Sequence, residues 1–317
     1  MNRLTVEEMA ARFLACEDVH ILIHQAPDGD CIGAGYSLQA VLRQLGKRAQ
    51  VLCCDPIPPR FGFLLPEGEE ETFEPQTVIA VDVADEKLFG RLADTYGGRV
   101  DLCVDHHISN KGYAKELLLE SDASAACEVL YKVYRAMGVT FTEPIVKCLY
   151  TGMATDTGCF KFSNASASTH RAVADLMDLC PDIRYDLINR AMFDVKSPGR
   201  LRAEMAMLSH MEYHLDGRLT LIWATIDVMH ENDVDEKDME GLANLPLAPE
   251  GVEVGVTMRE REPGVFKVSM RAAGDVDVSA ICQTFGGGGH VKAAGCLLEG
   301  TQDDLRDRVI AAVRSAL

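Results

Sequence analysis

The stretch Val19-His20-Ile21-Leu22-Ile23-His24-Gln25-Ala26-Pro27-Asp28-Gly29-Asp30 decides how this chain is read. A short, nearly all-apolar run bounded by Pro and Gly reads as a strand buried on both faces of a parallel sheet. A helical pattern follows over residues 32–45, and a strand, a turn and a helix in that order make the repeating unit of an α/β fold. Ligands of open α/β sheets bind beyond the carboxyl ends of the strands, which puts His24, Asp28 and Asp30 at the mouth of the sheet. Gly29 would let the backbone bend so that both carboxylates turn toward one place. The start of the helix would add a positive end suited to anions. Taken alone, the segment reads equally well as a Pro-Asp-Gly turn with a helix cap.

Working outward, Gln50-Val51-Leu52-Cys53-Cys54, Thr77-Val78-Ile79-Ala80-Val81-Asp82 and Val100-Asp101-Leu102-Cys103-Val104-Asp105 repeat the strand pattern, and residues 126–137 and 143–155 repeat the helical one. The fold class is therefore α/β, with an N-terminal domain over residues 1–185 built on a mostly parallel sheet flanked by helices. Residues 186–214 read as a charged helical linker. Residues 215–317 read as a smaller C-terminal α/β domain, with strand-like runs at 219–224, 252–257 and 265–270, a glycine run at 286–289 and a last helix over 303–316.

The chain has 317 residues, 47% apolar and 25% charged, which is ordinary for a globular protein. Its net charge of −18 excludes the broad basic face of a long-duplex nucleic-acid binder. A short phosphorylated ligand would have to be held by metals and a few local cations or N–H groups. The eleven cysteines lie mostly in apolar stretches without CxxC spacing, so they read as reduced, buried thiols, and a sulfur-built zinc site is not expected. The acidic, amphipathic opening residues resemble neither a signal nor a transit peptide, and no stretch reaches the ~20 apolar residues of a membrane span. The expected location is the cytoplasm.

Three acid or imidazole clusters follow strands: His24-Asp28-Asp30, Asp82, and Asp105-His106-His107. A fourth acid, Asp156, follows a helix in Thr155-Asp156-Thr157-Gly158. Asp82 alone would read as a turn cap, and Asp85 reads as one. Jointly the set is richer in carboxylate and imidazole than capping requires, and it contains no thiolate. Mixed oxygen and nitrogen ligation favours a divalent cation such as manganese over structural zinc. Six candidates, His24, Asp28, Asp30, Asp82, His106 and Asp156, are too many for one ion and suit a two-ion phosphoester site. In the C-terminal domain, Gly286-Gly287-Gly288-Gly289-His290 could bring N–H groups to a phosphate, with Ser269 and Arg271 nearby on a strand.

Together these motifs resemble, in the family's order from residue 24 to 295, the DHH phosphoesterase family with its C-terminal DHH-associated (DHHA1) domain. Cys31 and Ala34 depart from the commoner residues, and neither is expected to be a ligand. The resemblance implies that His24 and Asp28 hold one Mn2+, that Asp30, His106 and Asp156 hold another, and that Asp82 bridges the two, with other divalent metals able to substitute. It implies that His107 contacts the scissile phosphate and that Asp105 orients its neighbours. Ser269, Arg271, Gly287, Gly288, Gly289 and His290 would bind the distal part of the substrate. The compact layout is most similar to the stand-alone bacterial enzymes that act as oligoribonuclease and as 3′-phosphoadenosine-5′-phosphate (pAp) phosphatase. The expected partners are short RNA or nucleotides, with no long duplex and no membrane, and a homodimer is left open. The alternatives are a cyclic-dinucleotide (c-di-AMP) phosphodiesterase and a catalytically silent nucleotide-binding regulator.

Overall fold

The computed structural model describes residues 2–68, 72–234, 239 and 241–317. They divide into two compact units, residues 1–195 and 196–317. The first unit holds β1 (Asn2–Arg3), β2 (Val19–Leu22), β3 (Ala49–Leu52), β4 (Thr77–Val81), β5 (Leu102–Asp105) and β6 (Glu116–Leu119). Their order across the sheet is β1-β6-β5-β4-β2-β3, and every adjacent pair is parallel.

Alternation along these strands shows why the runs are apolar throughout. Ile21, Ile79, Val81, Leu102 and Val104 enter one core, while Leu22, Val78, Ala80 and Cys103 enter a second core on the opposite face. Helices α1 (Val6–Ala15), α2 (Gly29–Gln44), α4 (Ala126–Met137), α5 (Glu143–Asp156) and α6 (Ala167–Leu179) contribute Phe13, Leu38, Leu130, Leu149 and Leu176 to the first core. The short α3 (Ala93–Tyr96) contributes Tyr96 to the second core. A further short helix, α7 (Tyr185–Asn189), packs Tyr185 and Ile188 against the first core.

Strand β2 pairs with β3 on one side and with β4 on the other. The chain therefore reverses its direction of travel across the sheet between β2 and β4, which is where open α/β sheets leave a crevice at their carboxyl end.

The boundary between the two units falls inside the helical stretch 186–214. The part up to residue 195 closes the first unit, and α8 (Pro198–Ser209) belongs to the second. The reason is an apolar stripe: Ala203 and Met207 of α8 are buried with Ile222, Ala224 and Met229. The second unit carries a six-stranded mixed sheet made of β7 (Glu212–His214), β8 (Leu219–Ala224), β9 (Val254–Glu262), β10 (Val265–Ala272), β11 (Gly288–His290) and β12 (Ala293–Glu299). Its order is β11-β12-β10-β9-β8-β7, and only the β8–β9 pairing is parallel. Helices α9 (Ile226–Glu231), α10 (Val278–Gln283) and α11 (Gln302–Arg314) complete it.

Candidate metal centre

His24 lies two residues beyond β2, Asp82 directly beyond β4, and Asp105 ends β5. Parallel registry therefore delivers all three to the same edge of the sheet, at and beside the β2–β4 crevice. Helix α2 begins at Gly29, three residues earlier than its apolar pattern suggests, with Asp28 as its cap. Asp28 Oδ1 accepts from the N–H groups of Asp30 (3.0 Å) and Cys31 (3.1 Å). Capping and ligation do not exclude each other here, because the cap fixes one carboxylate oxygen beside His24.

Gly29 is needed for space rather than for bending. A Cβ there would lie 2.6 Å from Thr155 Cγ2 and 2.8 Å from Thr155 Cβ. Gly152 answers the same need from α5, since a Cβ there would stand 2.7 Å from Asp30 Oδ1. The two glycines let α2 and α5 approach closely enough for Asp156, the last residue of α5, to reach the site.

Donor atoms converge without bonding one another. His24 Nε2 is 3.7 Å from Asp28 Oδ1 and 3.7 Å from Asp82 Oδ2. His106 Nε2 is 3.6 Å from Asp82 Oδ1, 3.8 Å from Asp30 Oδ2 and 3.6 Å from Asp156 Oδ2. These separations exceed a hydrogen bond. They suit ligands that share a cation, since ligands about 2.1 Å from an ion sit roughly 3–3.5 Å from each other. Asp82 Oδ1 and His106 Nε2 are fully buried and have no hydrogen-bond partner. Buried polar atoms are seldom left so. Asp82 also holds φ +58, in the left-handed region that non-glycine residues rarely occupy. Such strain is a pointer to function.

The outer groups fix the inner ones. Asp30 Oδ2 accepts from Ala126 N–H (2.6 Å) and its Oδ1 from Cys127 N–H (3.0 Å), at the start of α4. The Ala123 carbonyl, 3.2 Å from His106 Nδ1, leaves Nε2 as the atom that faces the acids. Glu128 Oε2 accepts from Ser124 N (3.0 Å), Ser124 Oγ (2.8 Å) and Thr169 Oγ1 (2.8 Å), and so braces the segment that holds Asp30 and His106. Asp105 is fully buried; its Oδ1 accepts from His106 N–H (2.8 Å), His107 N–H (3.1 Å) and His107 Nδ1 (2.8 Å). Its Oδ2 accepts from Asn110 Nδ2 (2.6 Å).

Electrostatics agree with an anionic pocket that calls for cations. Burial and the charge of Asp30 hold the Asp82 pKa well above the carboxylate range. Burial and the charges of Asp30 and Asp28 push Asp156 up to about 8. Burial lowers the His24 pKa, but Asp28 and Asp82 raise it further, for a net rise. The hydrogen bond to Asp105 raises His107 to about 9 against the opposing effect of burial.

All six expected ligands thus meet at one place. Two triads, each member offering one atom, have those atoms within 4.8 Å of one another: Asp30–His106–Asp156 and Asp82–His106–His107. The group around His24 is a tetrad, in which Cys31 joins His24, Asp28 and Asp82. Sequence reasoning had set Cys31 aside. The signal available was its place in the first turn of α2, on the side facing His24.

In the second unit, pairing aligns Ser269 with Gly295 and Gly288, and Arg271 with Ala293 and His290. Directly paired residues project to one face, so Ser269, Arg271 and His290 share a face of this sheet. The glycine run is partly tied into the fold: Gly286 donates to Gln283 O (3.0 Å), Gly287 to Cys282 O (2.9 Å), and Gly288 and Gly289 pair with β12. Gly289 has φ +148, and a Cβ there would meet Ala294 Cα at 2.6 Å, so only glycine fits. Arg271 is half-buried, donates to Met270 O (3.0 Å) and pairs with no carboxylate among the described residues. Burial lowers its pKa.

The N-terminal domain of the DHH family matches residues 18–153, and the DHHA1 domain matches residues 220–317. Over 307 residues the chain is 33% identical to a protein of Thermus thermophilus named bifunctional oligoribonuclease and PAP phosphatase NrnA, covering 94% of this chain and 90% of that one. A Bacillus subtilis protein of the same name is 22% identical, with 91% of each chain covered. Among solved structures, an exopolyphosphatase-related protein of Bacteroides fragilis superposes with a TM-score of 0.88 at 23% identity, covering 98% of this chain and 95% of that one; at that identity the likeness shows the fold.

Proposed function

We propose, since this chain belongs to the DHH family and carries a DHHA1 domain, that it hydrolyses phosphoesters of short oligoribonucleotides and of pAp with the help of two divalent cations, Mn2+ foremost. The observation that carries the reading is the convergence of six carboxylate and imidazole donors on a buried pair of unpartnered atoms, Asp82 Oδ1 and His106 Nε2.

His24 and Asp28 would hold one ion, Asp30, His106 and Asp156 the other, and Asp82 both. Cations held there would supply a Lewis acid that activates water and neutralises charge on phosphate oxygens. The chain's own residues do the rest. Asp105 engages His107 Nδ1 at 2.8 Å, so Nε2 is turned away from the carboxylate. The hydrogen bond to Asp105 favours the imidazolium form of the ring. The ring donates from Nε2 to a non-bridging phosphate oxygen and stabilises the charge that develops on it. Asn110 and the two backbone N–H groups keep Asp105 ionised and in place. In the second unit, Arg271 supplies a guanidinium free to pair with phosphate, with Ser269 and His290 on the same face. No helix among the described residues is long and apolar enough to cross a membrane. We assign the protein to the cytoplasm, where such substrates arise.

The test is an activity panel with the full chain in Mn2+: pAp, RNAs of a few nucleotides, linear pApA and cyclic di-AMP at equal concentration. Phosphate release from pAp and conversion of the short RNAs to mononucleotides are expected. Turnover confined to the cyclic dinucleotide would overturn the substrate reading. Tight binding of the panel without turnover would overturn the enzymatic one.

A further inference from the structure

Cys31 is the one member of the tetrad that the proposed reaction does not use. It is fully buried in the first turn of α2, and its thiol reaches toward Asp28 O at 3.6 Å. Its sulfur lies within 4.8 Å of ligand atoms of His24, Asp28 and Asp82. A buried cysteine usually serves as a small apolar side chain. Its neighbours here are instead an imidazole and two carboxylates that already face one another without hydrogen-bonding.

We propose that Cys31 Sγ is a fourth ligand of the His24–Asp28–Asp82 site, making it a mixed nitrogen, oxygen and sulfur centre that accepts thiophilic divalent cations such as Zn2+, Co2+ or Cd2+. This rests on the reading of His24, Asp28 and Asp82 as metal ligands. Four donors complete a tetrahedral set, the geometry Zn2+ adopts most readily. A thiolate favours softer ions, whereas carboxylate and imidazole alone leave Mn2+ competitive. On binding, the S–H proton leaves to solvent and the sulfur lone pair forms the metal bond; no electron is transferred. The two halves of the centre then differ in chemistry. The Asp30–His106–Asp156 half is built from oxygen and nitrogen alone, and the His24 half has a soft donor that sets its metal preference.

The experiment is cobalt substitution of the full-length protein, read by absorption and by metal content. The wild type is expected to bind Co2+ and to show an intense near-ultraviolet sulfur-to-cobalt charge-transfer band. Cys31→Ala should lose that band yet still bind cobalt. Cys31→Ser, which keeps the shape, should also lose it and guards against a misfolded alanine variant. Cys127→Ala, a buried cysteine beside Asp30, should retain the band. Cd2+ affinity should fall in Cys31→Ser by at least the roughly 10–100-fold seen when outer-shell partners are removed, with Mn2+ affinity much less affected. Cobalt binding without the band in the wild type, or a band that survives Cys31→Ser, would overturn the thiolate assignment and leave the metal reading standing. No cobalt uptake by the wild type, or uptake that persists unchanged in a His24→Ala, Asp82→Ala variant, would overturn the metal reading itself.

Discussion

Replacing Asp82 with Asn separates what the site costs the fold from what it does for the reaction. Asp82 is 3% exposed, and its Oδ1 has no hydrogen-bond partner. The nearest imidazole nitrogens stand 3.4 Å (His107), 3.6 Å (His106) and 3.7 Å (His24) away, and Asp30 adds a like charge. An unsatisfied buried polar group costs about 1–3 kcal/mol, and more when charged. Asn removes the charge at nearly the same volume, and it tolerates the left-handed backbone at least as well as Asp. The metal-free variant should therefore be more stable than the metal-free wild type by about 1–3 kcal/mol. At roughly 2–4 °C per kcal/mol for a unit of this size, that is a gain of a few to about 10 °C in melting temperature. With metal the order reverses. A cation at 100 times its dissociation constant adds about 2.7 kcal/mol to the wild type, and the variant, lacking the shared carboxylate, gains little. The assay is a circular-dichroism melt in chelator and in excess Mn2+. Because the folded pKa of Asp82 is raised, the stability that this one side chain contributes is fullest below the ordinary carboxylate value and is lost as pH climbs. The variant's advantage in chelator should accordingly widen from about pH 4 upward. A variant that is less stable in chelator at every pH, with an undiminished gain from Mn2+, would show Asp82 to be a turn residue and refute the reasoning.

Other expected outcomes follow from single contacts. Gly152→Ala would drive a methyl against Asp30 and Cys127, costing roughly 1–3 kcal/mol and weakening metal binding, as calorimetric metal titration should show. Glu128→Ala strips the acceptor from Ser124 and Thr169; a loss of about 3 kcal/mol in chemical denaturation, together with poorer Mn2+ affinity, is expected because the braced segment also holds Asp30 and His106. Asp105→Asn removes what keeps His107 at about 9, so the alkaline limb of the kcat/KM profile should move down toward the ordinary histidine value of about 6.5, with an unmoved limb counting against the imidazolium role. Arg271→Ala should raise KM for pAp with kcat little changed, the pattern of lost uniform binding, and a fall in kcat alone would contradict it.

How far the sequence could be read depended on whether a residue's role came from pattern or from packing. The all-apolar runs ending at His24, Asp82 and Asp105 announced parallel strands, and α4 occupies the very residues its periodicity marked. The edge strand β1 has no apolar residue, β6 is too short at four residues to stand out, and β11 is hidden by its glycines. The division at 195/196 inside the stretch 186–214 is hard to read from sequence because α8 buries only a narrow stripe against β8 and α9. At the site, residue types pointed to metal chemistry, but Asp82 looked like an ordinary cap until its backbone angle and orphaned oxygen were visible. Gly29 was credited with a bend when its use is clearance for Thr155, a contact between helices that no local pattern encodes. The proximity of Cys31 to the site is hidden for the same reason, since its sulfur comes near His24 and Asp82 only once β2, β4 and α2 are packed together.

The central claim is that His24, Asp28, Asp30, Asp82, His106 and Asp156 hold the cations on which hydrolysis depends. Its most direct test is stepwise addition of Mn2+ to chelator-treated protein, with bound metal and pAp hydrolysis followed in the same samples. The account predicts two equivalents bound per chain, turnover that rises to its full value as the second is filled, and loss of both in Asp82→Ala. Full turnover in chelator, or full turnover by Asp82→Ala, would contradict it.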